Sequence, residues 1–271
     1  SVFQRLFESA GRKLDFFVVC THMGDLYDAE GQLAASREQF ERALVLARRL
    51  MEESRTPGAR RDFAVSCGRM GRQCEAEGDF AAAQHYYEQN FVLCQQLFEE
   101  LQTKEAQEDY CSGAIQRVSF YERMGRQCEK EGDLAAAREY NEQSVAIYQQ
   151  LQKKLQSVGG DAIYRQFSEE ARLMGAEQYC RNASIQLANV YREECRRAVQ
   201  AGDARQEERW LRKILEVEEP FQQGDPYPPN RLHHALGRSR LGKLCADRGD
   251  DRAAEEQYLR AYELLEELHS K

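Results

Sequence analysis

Small and apolar side chains recur along this chain at fixed distances from a glycine, within sequence that is otherwise strongly charged. Counting from Gly24, Gly71, Gly125 and Gly242, a small residue stands twelve positions later: Ser36, Ala83, Ala137 or Ala254. Sixteen positions later comes Phe40, Tyr87, Asn141 or Tyr258, and nineteen later Ala43, Asn90, Ser144 or Ala261. A second glycine always follows the first by seven: Gly31, Gly78, Gly132 or Gly249. Two copies are identical from Met70 to Glu75 and from Met124 to Glu129.

This pattern predicts pairs of helices. The first glycine of each copy belongs where helix A is crossed closely by helix B, since a side chain there would push the two apart. The second glycine ends helix A, because it adopts the left-handed backbone of a helix C-cap without steric cost. Asp79, Asp133 and Asp250 follow directly and suit the N-cap of the next helix. Helices are therefore expected over about Leu14–Glu30, Leu33–Ser54, Gly58–Glu77, Phe80–Leu101, Glu105–Glu131, Leu134–Ser157, Asp161–Ala201, Ala204–Glu219, Asn230–Arg248 and Asp251–His269. The long helix from Asp161 is expected to break near Gly175. Gln222–Pro229 reads as a loop, since proline cannot continue a helix.

The glycine, small-residue and aromatic positions resemble the tetratricopeptide repeat family, in a long-period form like that of bacterial arrays. The first two anchor intervals, 47 and 54 residues, exceed the family's roughly 34, with the extra length at the end of helix B and the start of the next helix A. The interval from Gly125 to Gly242 leaves room for one divergent pair. The resemblance implies an all-α, right-handed α-solenoid of about five extended helix pairs. It forms one superhelical domain over residues 1–271, with pairs at about 14–54, 58–101, 105–157, 161–219 and 230–269. Val2–Glu8 matches Val92–Glu99 in pattern, so residues 1–10 are expected to be the end of a preceding helix B. The expected role is a protein-interaction scaffold that binds a peptide or partner protein in its concave groove, within a larger signalling or regulatory protein. The rival reading is a self-assembly module that forms homo-oligomers.

Composition narrows the partners. The 46 acidic and 38 basic residues leave a formal net charge of −8, against a general nucleic-acid or anionic-membrane binder. No apolar run is long enough to span a bilayer. Nine cysteines without a Cys-x-x-Cys pair argue against both a disulfide framework and a zinc ribbon. Cys20, Cys67, Cys74, Cys128 and Cys245 hold buried helix positions in the repeat, so free thiols and a reducing cytoplasm are expected.

Candidate chemistry lies on helix A. Two positions before the anchor stand His22, Arg69, Arg123 and Arg240, and one position after it Asp25, Arg72, Arg126 and Lys243. Residues three apart share a helix face, so Arg69 with Arg72, Arg123 with Arg126, and Arg240 with Lys243 make two-cation stations. An acidic peptide is the natural ligand, because Arg offers carboxylates two parallel hydrogen bonds. The plainer reading is pairing within the helix, with Glu75 beside Arg72 and Glu129 beside Arg126. The chaperone-binding carboxylate clamp of some family members is not expected, because Asp25 stands where that clamp uses Asn. No catalytic residue, cofactor or metal is expected: His22 and Cys20 diverge on a helix, and no nucleophile or phosphate-loop signature is present. His233 and His234 are expected on the surface of a first turn. Tyr86, Tyr87, Tyr140 and Tyr258 read as core. Trp210 and the Pro226–Pro229 segment are the next places to seek a binding surface.

Overall fold

The computed structural model describes residues 10–158, 176–221 and 228–269. Ten α-helices lie within them: α1 (Ala10–Ala29), α2 (Leu33–Ser54), α3 (Pro57–Ala76), α4 (Phe80–Leu101), α5 (Lys104–Glu131), α6 (Leu134–Val158), α7 (Ala176–Ala201), α8 (Ala204–Glu218), α9 (Pro228–Asp247) and α10 (Asp251–His269). No strand is present among the described residues. The chain forms two compact units. One comprises residues 1–120 and 150–160, the other residues 121–149 and 161–271. In the first, α1 packs on α2, α2 on α3, and α3 on α4; in the second, α7 packs on α8, α8 on α9, and α9 on α10. The expected segments 1–9, 161–175 and 222–227 lie outside the described residues.

Every helix pair after the first turns on the same Gly-Asp device; in the first, Gln32 follows Gly31 and makes no side-chain cap bond. Gly78 has φ +82°, a conformation that strains any L side chain. The backbone N–H of Asp79 then donates to the Cys74 carbonyl at 2.9 Å, closing α3. Its side chain accepts from the Ala82 N–H at 3.0 Å, opening α4. Asp133 and Asp250 repeat both bonds. So do Gly202 and Asp203 between α7 and α8, which places a fifth copy in register. Counting back seven from Gly202 puts Cys195 at the anchor position of the divergent pair.

The anchor glycines are contact points between paired helices. A Cβ on Gly24 would lie 2.5 Å from the Phe40 ring, and one on Gly71 would lie 2.8 Å from the Tyr87 ring. On Gly125 it would lie 2.5 Å from Asn141 Oδ1, and on Gly242 3.0 Å from Tyr258. The residue sixteen positions on is in every case the one that occupies the space, and Asn141 performs the task without a ring. The small residue twelve on lets the helices approach: Ser36, Ala83, Ala137 and Ala254 are all buried, and Ser36 Oγ donates to the Gly24 carbonyl at 3.0 Å. In the divergent pair, Cys195 Sγ lies 3.9 Å from the Glu207 carbonyl, linking the same two positions.

Several boundaries and burials differ from those the sequence suggests. Pro228 and Pro229 open α9 rather than ending a loop, and Pro57 opens α3 after the Thr56 cap. Proline is compatible with the first helical turn, where its missing N–H has no intrahelical acceptor to lose. His233 is exposed as expected, but His234 is buried. Its ring nitrogens lie 3.2 Å from Glu218 and 3.1 Å from Glu219, and Arg238 donates to it. These polar partners make burial of the imidazole tolerable. Tyr87 belongs to the core, Tyr86 and Tyr140 are half-buried, and Tyr258 is exposed. All eight cysteines with described side chains are free and buried.

Two predictions follow from this packing. Replacing Gly125 by Leu should lower stability by about 1–3 kcal/mol or more through overpacking against Asn141. Gly58→Ala, where an added Cβ meets nothing within 4 Å, should leave stability unchanged or raise it by up to about 1 kcal/mol. Chemical denaturation of the two variants checks the contrast. The second concerns thiols. Burial pushes Cys67, Cys94 and Cys111 up to about 12 and raises Cys74 and Cys128 as well. Native protein at pH 8 should therefore alkylate slowly at these five positions and completely after denaturation, as read by peptide mass spectrometry.

Candidate functional site on the helix A faces

The cations two positions before the anchor are used by the fold. Arg69 on α3 forms a two-point ion pair with Asp25 on α1, Nε–Oδ1 and Nη2–Oδ2 both 2.9 Å. Arg240 on α9 grips Glu207 on α8 in the same way, with Nη2–Oε2 at 3.0 Å. Both pairs join neighbouring repeats rather than facing outward. Asp25 is thus the acceptor that fixes Arg69.

The cations one position after the anchor behave differently. Arg72, Arg126 and Lys243 are exposed and form no ion pair or hydrogen bond with any described residue. Their expected intrahelical partners are engaged elsewhere. Glu75 accepts a hydrogen bond from Tyr87 Oη at 3.0 Å, and Glu129 accepts one from Asn141 Nδ2 at 3.4 Å. The residue that covers the anchor glycine therefore also holds the glutamate four positions after it. Arg126 still contributes favourable charge to Glu129 and to the buried Glu122, whose carboxyl groups are shifted upward chiefly by desolvation. Arg123, beside Arg126 on α5, is exposed and lies in the field of Glu122. The six residues thus divide by position: those at the earlier position include two structural ion pairs, and those at the later one are open cations.

Glu207 is the residue that sequence reasoning passed over. It occupies the small-residue position of the divergent pair, is buried, and meets Arg240. The signal was present as Gly202-Asp203, in the spacing of the other Gly-Asp turns, but Cys195 in place of an anchor glycine hid the register. Trp210 is buried in the core of the second unit, stacked on Tyr191 at 5.6 Å with the Arg138 guanidinium 5.3 Å from its ring. It is therefore a packing residue rather than an open surface. No group of three His, Cys, Asp or Glu side chains among the described residues could hold a metal ion. No helix among them is long and apolar enough to cross a membrane.

Comparison with known proteins places the first repeat within a family. Residues 18–49 match the tetratricopeptide repeat model. No curated protein matches the sequence. Among solved structures, the S. pombe nuclear import adaptor Nro1 is 10% identical, covering 94% of each chain at a TM-score of 0.38. BtubC (BKLC) from P. vanneervenii is 17% identical, covering 89% of this chain and 92% of its own at 0.28. The de novo designed helical repeat protein DHR64 is 18% identical, covering 97% and 98% at 0.29. None of these structural likenesses bears on what this chain binds. The family match at 18–49 shows a tetratricopeptide repeat in the first helix pair, and the glycine, small-residue and capping positions of that pair recur in later copies along this all-α chain.

Proposed function

We propose that the chain is a non-catalytic protein-interaction scaffold that binds an acidic segment of a partner protein on its helix A faces. The observation that carries this reading is the recurrence of an exposed cation without an ion-pair partner among the described residues one position after the anchor glycine, at Arg72, Arg126 and Lys243, in a protein of net charge −8. Arg69 and Arg240 support the reading indirectly. By tying helix A to the preceding repeat, they fix the helix on which the open cation stands. A carboxylate arriving at Arg72 or Arg126 would gain charge-assisted hydrogen bonds, which are stronger than neutral ones. Such contacts weaken as salt rises, because exposed charges are screened.

The expected outcome is that Arg72→Glu combined with Arg126→Glu leaves helicity and thermal midpoint unchanged while weakening capture of partner proteins by about tenfold or more. Affinity capture with wild-type and variant protein, quantified at two salt concentrations, measures this. An unchanged partner profile would make the cations an ordinary solvated face. Arg69→Ala should act differently: it removes an inter-repeat ion pair, leaves Asp25 without its guanidinium, and lowers the thermal midpoint.

A further inference from the structure

One buried polar junction changes its chemistry between the second pair and the third. In the second pair it holds Gly68, three before the anchor, Asn90, nineteen after it, and Gln116, nine before the next anchor. A Cβ on Gly68 would lie 2.8 Å from Gln116 Oε1 and 2.9 Å from Asn90 Nδ2. The Asn90 amide fills the space that Gly68 leaves and donates to the Ala64 carbonyl at 2.7 Å. The same three positions of the third pair, with Cys195 as the next anchor, are Glu122, Ser144 and Gln186. The helices that carry them are seated alike. Gly113, twelve before its anchor, lies against Phe91 on α4, and Ala183, twelve before Cys195, shares a core cluster with Val145 on α6, the counterpart of Phe91.

A glycine and an amide thus become a carboxyl and a short hydroxyl, and the amide donor is lost. Glu122 is 4% exposed and Ser144 0%. Glu122 Oε1, Ser144 Oγ and Gln186 Oε1 have no hydrogen-bond partner among the described residues. A buried carboxylate without a donor is strongly disfavoured and takes up a proton instead. The protonated acid gains an O–H, for which hydroxyl and amide oxygens are acceptors. Among the described residues, charge acts on Glu122 only from its own helix. Arg126 and Arg123 favour the ionised form, but desolvation outweighs them and shifts the carboxyl upward. Ser144 from α6 and Gln186 from α7 carry no charge.

We propose that the junction of α5, α6 and α7 is closed by a proton on Glu122 and loosens when Glu122 ionises, which makes it a pH-sensitive joint between the third pair and the divergent one. Arg126 is also one of the open cations of the helix A face. On that reading of the face, an acidic segment at Arg126 would offset its charge and favour the closed, protonated joint. Failure of the partner-capture experiment would remove this link and leave the proton site standing.

The test uses the full chain and Glu122→Gln, which keeps the shape of the protonated acid and cannot ionise. Urea midpoints of both are measured between about pH 4.5 and pH 9. Because folding raises this carboxyl, the unfolded chain releases its proton first, and the folded state loses ground until Glu122 itself ionises. Wild type should therefore match the variant most closely at the acid end, fall below it as pH rises, and then run parallel. Arg126→Gln should move the point at which the profiles become parallel to higher pH. For each unit by which folding raises the group, opening becomes about tenfold more favourable once it ionises. Hydrogen exchange, corrected for intrinsic rate, should place that opening at residues 183–187 in wild type and not in Glu122→Gln. Should Glu122→Gln fail to fold, carbon-13 NMR of the wild-type glutamate carboxyls decides the matter: the carboxyl of residue 122 must titrate above the ordinary value of 4.5, and higher still in Arg126→Gln. Parallel profiles across the whole range, or titration of Glu122 at or below the ordinary value, overturn the proposal. So does a wild type that gains on the variant as pH rises, since the carboxylate would then be the favoured form.

Discussion

The spacing of every regular pair depends on the contact between an anchor glycine and the side chain sixteen residues later. Phe40, Tyr87, Asn141 and Tyr258 occupy the volume in which a Cβ would have to sit. Helices A and B can approach closely only because that volume is vacant on one of them. The same side chain then reaches further. Tyr87 binds Glu75 through its hydroxyl and meets Phe120 across the next interface. One residue thus sets the distance within a pair and forms part of the contact with the next. Asn141 shows that the requirement is for a buried group of suitable size rather than for an aromatic ring, since its amide also reaches Glu129.

Electrostatics is arranged on this frame at similarly fixed offsets. Lys13 with Glu53, and Arg60 with Glu100, join the far ends of helices A and B across the same forty-residue separation. Arg231 with Glu267 joins the far ends of the last pair across thirty-six residues. Each is a partly exposed ion pair and contributes little alone. Their value here is diagnostic, since they separate cations held by the fold from cations left open. By that criterion Arg69 and Arg240 belong to the scaffold, whereas Arg72, Arg126 and Lys243 have no ion-pair partner among the described residues.

The divergent pair shows how a repeat can change its chemistry without losing its register. Cys195 replaces the anchor glycine, and Glu207 replaces the small residue that the other copies bury. A carboxylate at that depth would be strongly unfavourable alone. Arg240 from the following helix supplies the compensating charge in a two-point pair. The substitution therefore turns a purely steric contact into an ion pair between neighbouring repeats, which is a stronger constraint on how α8 and α9 meet.

The helix pairs, their turns and their close-packed glycines were legible in the sequence because each depends on local or short-range rules. A glycine at positive φ, an aspartate cap and a 12–16–19 spacing from the anchor operate within one pair and recur four times. Buried thiols followed from the same register. The use of each charge was not legible, because it depends on the neighbouring repeat. Arg69 and Arg72 look equivalent on one helix, yet only Arg69 can reach Asp25, while Glu75, the evident partner of Arg72, is bonded to Tyr87 instead. His234 looked like a surface residue until the carboxylates of Glu218 and Glu219 came to it across a sequence gap. Tyr258 looked like core because its register says so, yet it is exposed, since among the described residues no ring packs on its outer side as Phe120 packs on Tyr87. Sequence fixes what a residue can do within its own helix pair; which of those capacities is used is decided by the partner that packing brings within about 3 Å, the reach of a hydrogen bond.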